Sequence, residues 1–483
     1  MAGVKRELIT GAIFTAIAKY ANLIISLVVT GVLARLLAPE QFGIITIASL
    51  AITFLNILAD IGFSPTVIQH KDLDKQALNI LFSLSVYIAF ILSLLFFFAA
   101  DFFANWYEQP LLKPICHLLT INLFFSAISV VPNALFYRER MFKFIAVRSF
   151  IIQLIGGILS LLLAWKGAGV YALAVNPVFS AVAIFGISYT RFPLTFKFRI
   201  SLNKVKHVFA YSLFQFLFNI INYFSRNVDS LLIGKYLGMV PLGYYDKSYR
   251  LMSLPLQNIT QVVTPVVHPI LSQKGHDRGY LRQANEKLVG FFATVGFPLS
   301  IFLFFSADEL IMLFFGPQWK AAVPAFEILS LSVGIQLIMS SSGSIFQTAG
   351  DTKSLFVCGL FSAILNVSGI LLGVFYFGRI EAVAQCLLIT FMINFIQTYW
   401  QMYTVVFEHS PQEFLKALVK PILFAIILGV FMYIIVIYVK HLDLIYSLIL
   451  KCSIFGSFYG MLLWFGGYKN DILSLLKKKE PLA

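Results

Sequence analysis

Residues 211–237 read YSLFQFLFNIINYFSRNVDSLLIGKYL, a stretch long and apolar enough to cross a membrane as a helix. Polar residues recur in it at intervals of 3, 4, 3, 4 and 3, which places them on one helical face about 100° wide. These residues are Ser212, Gln215, Asn219, Asn222, Arg226 and Asp229. A charge at mid-bilayer costs about 2.5–3.5 kcal/mol on insertion scales, so such a face normally meets a bundle interior or a watery cavity.

This polar stripe has two interpretations. It can be the wall of a cavity that receives a polar or anionic solute, or it can supply hydrogen bonds between packed helices. Arg226 and Asp229 are three residues apart, so we expect them to form an ion pair in which Asp229 balances the arginine. The alternative role for Asp229 is a titrating group that couples an ion gradient to transport.

The composition predicts an all-α integral membrane protein and excludes most other classes. Hydrophobic residues make up 59% of the chain and charged residues 12%, against about 25% charged residues in soluble domains. The four cysteines are scattered without metal-ligand spacing, so we expect no metal, no disulfide framework and no cofactor. We attribute the net charge of +14 to the loops between the predicted spans, and we do not expect nucleic acid as a partner. No nucleotide-binding or hydrolase motif is present, which predicts that the protein is not an enzyme.

Apolar runs of about 17–25 residues, each able to span ~30 Å of hydrocarbon, can be placed about fourteen times. Their centres lie near Ile24, Ala51, Ala89, Phe124, Ile155, Ala181, Asn222, Gln257, Val295, Val333, Leu365, Leu388, Gly429 and Met461.

With the N-terminus inside, 24 of the 36 lysines and arginines fall in cytoplasmic segments and 10 in external ones. The positive-inside rule therefore predicts that both termini are cytoplasmic.

The first half of the chain is repeated in the second. Residues 37–43 (LAPEQFG) parallel residues 237–243 (LGMVPLG) at an offset of 200, and residues 170–174 (VYALA) resemble 380–384 (IEAVA) at 210. Repeats of this kind are typical of transporters in which two lobes rock about a central site. We predict a six-helix lobe at 1–200, a second at 201–405, and two further transmembrane helices with a basic tail at 406–483.

Three other predicted spans carry polar stripes. Thr15, Lys19, Asn22, Ser26 and Thr30 follow span one; Thr46, Ser49, Thr53, Asn56 and Asp60 span two; Asp246, Arg250, Ser253, Gln257 and Thr260 span eight. Four of the positions in span one align, at 200, with positions in span seven. Four stripes favour a shared cavity over helix-to-helix hydrogen bonding. The candidate substrate-binding residues are Lys19, Asn22, Asn219, Asn222, Arg226, Asp229 and Arg250.

The segment that joins the two halves, residues 190–207, alternates phenylalanine with arginine and lysine. That composition predicts a linker lying on an anionic membrane surface, with a merely solvated basic loop as the alternative.

Four motifs resemble the polysaccharide transport family of the multidrug/oligosaccharidyl-lipid/polysaccharide exporter superfamily. They are ARLLAPEQFG at 34–43, ADIGFS at 59–64, LGMVPLGYY at 237–245 and FGPQWK at 315–320. The similarity covers essentially the whole chain, including the number of predicted spans.

This resemblance implies a flippase that moves lipid-linked oligosaccharides, such as O-antigen, capsule or exopolysaccharide units on undecaprenyl diphosphate. It implies a multi-pass protein of the bacterial inner membrane. Its partners would be the lipid-linked substrate, membrane lipids, and a polysaccharide polymerase with chain-length proteins. An ion-coupled multidrug antiporter is the alternative. A membrane polymerase or ligase fits less well, because the longest external loop has no arginine or histidine.

Overall fold

The computed structural model describes residues 2–71, 73–198, 220, 222–272, 277–439 and 441–468, and in these ranges it contains helices but no β-strand. The helices of the first half are α1 (Ala2–Leu36), α2 (Pro39–Asp60), α3 (Phe63–Gln69), α4 (Lys75–Trp106), α5 (Leu112–Arg138), α6 (Phe142–Trp165) and α7 (Tyr171–Arg191). Helix α8 covers residues 222–232 and ends in a widened π turn, Ile233–Leu237.

The helices that follow are α9 (Met239–Ser272), α10 (Arg278–Phe305), α11 (Ala307–Phe315), α12 (Val323–Ser330), α13 (Val333–Met339), α14 (Ser342–Thr348), α15 (Thr352–Leu371), α16 (Ile380–Gln401), α17 (Gln412–Val439) and α18 (Leu444–Leu463). Helix α15 continues as a π turn, Leu372–Phe377, and α16 as another, Met402–Val406.

Eleven of the described helices are long and apolar enough to cross a membrane, or twelve spans if the pair Pro317–Ser330 and Val333–Thr348, bent by 43°, is one span. Eleven predicted span centres lie in these helices, and the centre near Val333 lies in the bent pair. The two predicted spans that remain, centred near Asn222 and Gln257, correspond to α8, which is described in part, and to the more polar α9. The all-α membrane protein is confirmed, while the count of fourteen stays a prediction.

The chain divides into two compact units, Met1–Tyr244 and Tyr245–Ala483. The division falls inside α9, so α8 is grouped with the first unit. The predicted domains 1–200, 201–405 and 406–483 follow the internal repeat of the sequence, and they stay a prediction.

A buried arginine joins three helices of the first unit. Arg148 of α6 donates to the Ser188 hydroxyl on α7 at 3.0 Å and to Asn133 Oδ1 on α5 at 2.8 Å. Its guanidinium also lies over the Phe136 ring, 4.9 Å from the centroid. Among the described residues no carboxylate pairs with it. Neutral acceptors and an aromatic face therefore accommodate this cation inside the lobe.

The chain after α7 is bound along α4, and we call residues 192–198 the strap. The backbone N–H of Thr195 donates to Asn79 Oδ1 at 2.8 Å, and that of Lys197 donates to Ser83 Oγ at 2.9 Å. The Tyr87 hydroxyl donates to the carbonyl of Phe198 at 3.1 Å. Asn79, Ser83 and Tyr87 are spaced four residues apart, so they form one row on α4.

Alternate strap residues face the helices. Leu194 is buried in the core formed by α3, α4 and α5, and Phe192 and Phe196 pack against that core. Phe198 is 83% exposed. Phe192 and Phe196 pack on protein because the strap's backbone is held close to α4. The position of the linker on an anionic membrane surface stays a prediction. Residues 199–207 of that linker lie outside the described ranges.

Within the second unit, a buried ion pair joins α18 to α11. The Lys451 ammonium donates to Glu309 Oε1 on α11 and, at 2.8 Å, to the carbonyl of Phe305. The Ser447 hydroxyl donates to the same Glu309 oxygen at 2.5 Å. Both charged side chains are less than a tenth exposed. Removing one partner would leave the other as an uncompensated buried charge.

We therefore expect Lys451→Met to lower the free energy of unfolding by about 3–5 kcal/mol. The double variant Lys451→Met/Glu309→Gln should recover most of that loss, because no charge remains unpaired. Denaturant unfolding of the purified protein in lipid-detergent bicelles measures both. The matched control is Lys416→Met, which breaks an exposed pair with Glu413 and should change stability by about 1 kcal/mol or less. A Lys451 effect no larger than this control would contradict the prediction.

Candidate functional site

The stripe of α1 contributes the first two candidate residues. Lys19 and Asn22 lie one helical turn apart, and both are partly buried. The Lys19 ammonium is 5.9 Å from the centroid of the Tyr20 ring. Asn22 Oδ1 is buried and accepts no hydrogen bond in the described part of the chain. An amide oxygen without a partner is available to a donor that is not part of the protein.

The hydroxyls of the stripes bond to their own helices. Thr46 donates to the carbonyl of Phe42 at 2.8 Å and Thr53 to that of Ser49 at 2.8 Å. Ser253 and Thr260 of α9 do the same, to the carbonyls of Arg250 at 3.0 Å and Leu256 at 2.8 Å. A hydroxyl that joined two helices would donate to the neighbouring helix. These four hydroxyls therefore do not join neighbouring helices by hydrogen bonds. For them the structure favours the interpretation of the stripe as a polar helix face.

Asp60, the last residue of the α2 stripe, has a structural role. Its Oδ1 accepts the backbone N–H of Ser64 at 3.0 Å, where the chain turns from α2 into α3. Asp60 is partly buried, and a carboxylate that loses contact with water without gaining a partner costs free energy. Asp60 is therefore not a candidate for substrate contact.

The stripe of α8 is divided between two environments. Asn222 and Arg226 are exposed, whereas Asp229 is buried. Tyr223, between them, is buried and donates from its hydroxyl to the carbonyl of Leu50 on α2 at 2.5 Å. Asn222 and Arg226 thus lie together on the exposed face of α8. Asn219, the other candidate of this span, lies outside the described residues.

The ion pair predicted between Arg226 and Asp229 is not formed in the described structure. Asp229 instead accepts the backbone N–H of Ser230 at 2.7 Å. Helical spacing brings the two residues near each other, but the order Arg then Asp is the less favourable one. The long arginine side chain is exposed while the short aspartate is enclosed, and a sequence pattern does not show this difference.

Helix α9 supplies Arg250, which is exposed. It also contains a buried lysine that the stripe analysis missed: Lys247 Nζ lies 2.8 Å from Asp246 Oδ2, and Lys247 is only 3% exposed. The adjacent Asp246 was the available signal, because a lysine inside a helix that spans a membrane needs a counter-charge.

The polar faces are described unit by unit. In the first unit they include the exposed guanidinium group of Arg226 and the amide groups of Asn22 and Asn222, and in the second unit α9 includes the exposed Arg250. Among the described residues no group of three histidine, cysteine, aspartate or glutamate side chains could hold a metal ion.

Thiol accessibility tests whether these faces are wet. Cysteines replacing Asn22, Thr53, Asn222 and Ser253 should react with a small charged methanethiosulfonate about tenfold faster than lipid-facing controls, because the thiolate forms only in contact with water. Val28 and Ile91 are suitable controls, since both are apolar, more than half exposed and outside the polar stripes. Equal protection of all six positions would show that the stripes are dry.

A double-mutant cycle tests the separation of Arg226 from Asp229. Arg226→Gln and Asp229→Asn should have additive effects on the free energy of unfolding, with an interaction energy of at most about 0.5 kcal/mol. The variants and their combination are compared by denaturant unfolding in bicelles. A markedly larger interaction energy would restore the predicted ion pair.

Comparisons with known proteins identify the family. Residues 32–324 match the family described as "Polysaccharide biosynthesis protein". The teichuronic acid biosynthesis protein TuaB of Bacillus subtilis is 23% identical over 99% of both chains. The lipopolysaccharide biosynthesis protein WzxC of Escherichia coli is 24% identical over 86% of this chain and 85% of its own.

Solved structures show the same fold. The lipid II flippase MurJ, in an inward closed conformation, superposes with a TM-score of 0.75 at 16% identity, over 95% of this chain and all of its own. A transporter described as a multidrug resistance MATE family member of the MOP superfamily, in an inward-facing conformation, gives a TM-score of 0.61 at 16% identity, over 78% of this chain and 93% of its own. The fold and the family predicted from the sequence are confirmed. The chain belongs to the polysaccharide biosynthesis protein family.

Proposed function

We propose that the protein is a flippase that carries lipid-linked oligosaccharides across the bacterial inner membrane during polysaccharide biosynthesis. Its membership of the polysaccharide biosynthesis family is the observation that carries this proposal. The fold shared with a structure described as a lipid II flippase supports it. The protein acts as a transporter and not as an enzyme.

The polar faces suit the chemistry of such a substrate. Its diphosphate is an anion, and the guanidinium groups of Arg226 and Arg250 can bind phosphate oxygens with two parallel hydrogen bonds. Its sugars carry many hydroxyls, which the amides of Asn22 and Asn222 can bind as donors and acceptors. The two arginines are exposed, and Asn22 Oδ1 has no partner in the described structure. Lys19, Asn219 and Asp229 complete the proposed substrate-binding set.

The proposed mechanism is alternating access. The two six-helix repeats would move relative to each other, receive the head group from the cytoplasmic leaflet and release it on the external side. The lipid tail would remain in the hydrocarbon of the bilayer, so it would not have to pass through water. Both termini are cytoplasmic in this proposal, as the distribution of lysine and arginine predicts. A polysaccharide polymerase and chain-length proteins would act on the product outside.

An ion-coupled multidrug antiporter is the second candidate. The MATE transporter shares the fold. Asp229 gives this candidate its chemical basis, because a carboxylate buried in a membrane helix is the kind of group that binds a coupling cation or proton. The family match favours the flippase, since it extends over residues 32–324.

Arg226 provides the test of the flippase proposal. Arg226→Ala should lower transport at least about tenfold, because an anionic head group loses a cationic partner that can bind it with two hydrogen bonds. Arg226→Lys should restore part of the rate by keeping the charge without the guanidinium geometry. Transport is followed in reconstituted vesicles with a fluorescent undecaprenyl-diphosphate oligosaccharide.

The matched control is Arg379→Ala, which removes an exposed arginine from the connection before α16. It should leave transport unchanged. Wild-type transport by Arg226→Ala would remove this residue from the substrate site. Transport of organic cations, together with failure to move the lipid-linked sugar, would favour the antiporter.

A further inference from the structure

An apolar groove runs along the second unit between α16 and α17, over a floor that α10 and α13 form. Its volume is about 590 Å³. Every described residue that lines it is apolar, and Arg250, the candidate substrate-binding residue of this unit, is not among them. The groove is therefore separate from the polar face of α9.

The mouth of the groove faces the lipid. Both of its walls, α16 and α17, are helices long and apolar enough to cross a membrane. On the rim, Ile396 of α16 and Ile426 and Val430 of α17 are each more than half exposed. At the floor, Ile335 of α13 is buried. The exposed side of a membrane-spanning helix contacts hydrocarbon, so the groove opens into the hydrocarbon of the bilayer.

The two walls meet at one end of the groove. Phe414, near the start of α17, stacks on Tyr399 of α16 with ring centroids 4.3 Å apart, and it also contacts Phe395, at 5.7 Å. The groove begins one helical turn further along α17, at Leu418, and continues to Val430. Side chains of the protein close this end, and the two walls diverge beyond it.

Water is a poor occupant of this groove. A buried water molecule typically makes about three hydrogen bonds, and the side chains that line the groove offer none. A hydrocarbon chain, in contrast, gains dispersion contacts with the apolar lining. The bilayer supplies such chains at the mouth of the groove, so the occupant that the chemistry favours is a lipid chain.

The dimensions of the groove select one kind of lipid chain. Leu418 and Val430 are twelve residues apart, which corresponds to about 18 Å along the helix axis. That length is about half of the ~30 Å hydrocarbon thickness, or one leaflet. A methylene group is about as large as a water molecule, which occupies about 30 Å³ in the liquid, so the groove holds about twenty methylene groups. An acyl chain of a phospholipid has this length and volume, whereas an undecaprenyl chain is much larger.

We propose that the groove binds one acyl chain of a membrane phospholipid. The chain lies along α17 between Leu418 and Val430, and it packs against α16 and α10. Helix α18 packs on a different face of α17, through Leu428 and Met432, so the bound chain does not displace it. The lipid is thus part of the packing that joins α17 to α16, and by binding the folded state it stabilises the second unit.

Photolabelling tests where the chain binds. The probe is phosphatidylglycerol with a diazirine in one acyl chain, present at a low mole fraction in vesicles that contain the purified protein. Residues 392–396 and 418–430 should be labelled about fivefold more than Phe356, Leu360 and Ile364 of α15, because a bound chain dissociates more slowly than the lipid around it. The α15 positions are a matched control, since they are at least half exposed on another membrane-spanning helix. Equal labelling of groove and control would overturn the proposal.

Filling the groove should abolish the excess labelling. A Cβ atom on Gly429 would lie 3.7 Å from Ile301, an ordinary contact distance, so Gly429→Phe can place its ring in the groove. This variant should reduce labelling of the groove to that of α15. Ile426→Trp, which enlarges an exposed residue of the rim, should also reduce it and gives the answer if Gly429→Phe fails to fold. Undiminished labelling of either folded variant would contradict the proposal.

Two other occupants are outcomes of the same experiment. Undecaprenyl phosphate, added at the mole fraction of the probe, should leave the labelling unchanged. If it removed half or more of the labelling, the groove would bind a polyprenyl chain instead. A disulfide between two copies of Ile396→Cys, in a variant whose native cysteines are replaced, would assign the groove to a second copy of the protein. Either of these results would overturn the proposal.

Thermal stability gives a readout that does not depend on labelling. Adding phosphatidylglycerol to the protein in detergent should raise the Tm by about 3 °C or more, because a ligand that binds the folded state stabilises it. Gly429→Phe should lose most of this shift. The control, Gly359→Phe, adds the same ring to the exposed face of α15, where a Cβ atom meets open space, and should keep the shift. A shift of equal size in all three proteins would show that the groove is not the binding site.

Discussion

A polar group within the hydrocarbon of a membrane must find a partner inside the protein or contact water, and the structure is arranged around that constraint. Arg148 meets the constraint with neutral acceptors on two neighbouring helices, and Lys451 meets it with a carboxylate. The hydroxyls of the stripes meet it by bonding to carbonyls of their own helices. Arg226 is exposed and the amide oxygen of Asn22 accepts no hydrogen bond among the described residues, which is why both belong to the substrate-binding set that we propose.

The sequence was sufficient for those features that repeat along a single helix. Span positions, the amphipathic stripes and the family all depend on periodicity or on contiguous motifs, and eleven predicted spans coincide with apolar helices. What could not be predicted depends on which helices become neighbours. The burial of Asp229 beside the exposed Arg226 depends on the surroundings of α8, and the strap depends on a row of side chains on α4, more than a hundred residues earlier.

The repeat preserves positions more faithfully than chemistry. At the offset of 210, Arg148 corresponds to Cys358 and Ser188 to Thr398. Both positions lie at polar contacts between consecutive helices. In the first unit the contact contains a cation, while in the second the Cys358 sulfur contacts Gln397 and Gln401 at 3.6 and 3.3 Å. The two units thus use the same geometry with different charge, which makes the repeated architecture electrostatically asymmetric.

Ribosomal synthesis delivers the strap after the partners that the described part of the chain gives it. Asn79, Ser83 and Tyr87, to which its backbone bonds, precede it by more than a hundred residues. Translation proceeds at about 5–20 residues per second, and domains generally fold N-terminal first. Docking of the strap can therefore complete the packing of helices α1 to α7 during biogenesis, before the chain of the second unit has been made. The growing protein would then enter the membrane as a finished bundle followed by a nascent one, which lowers the chance that helices of the two similar halves pair in the wrong order.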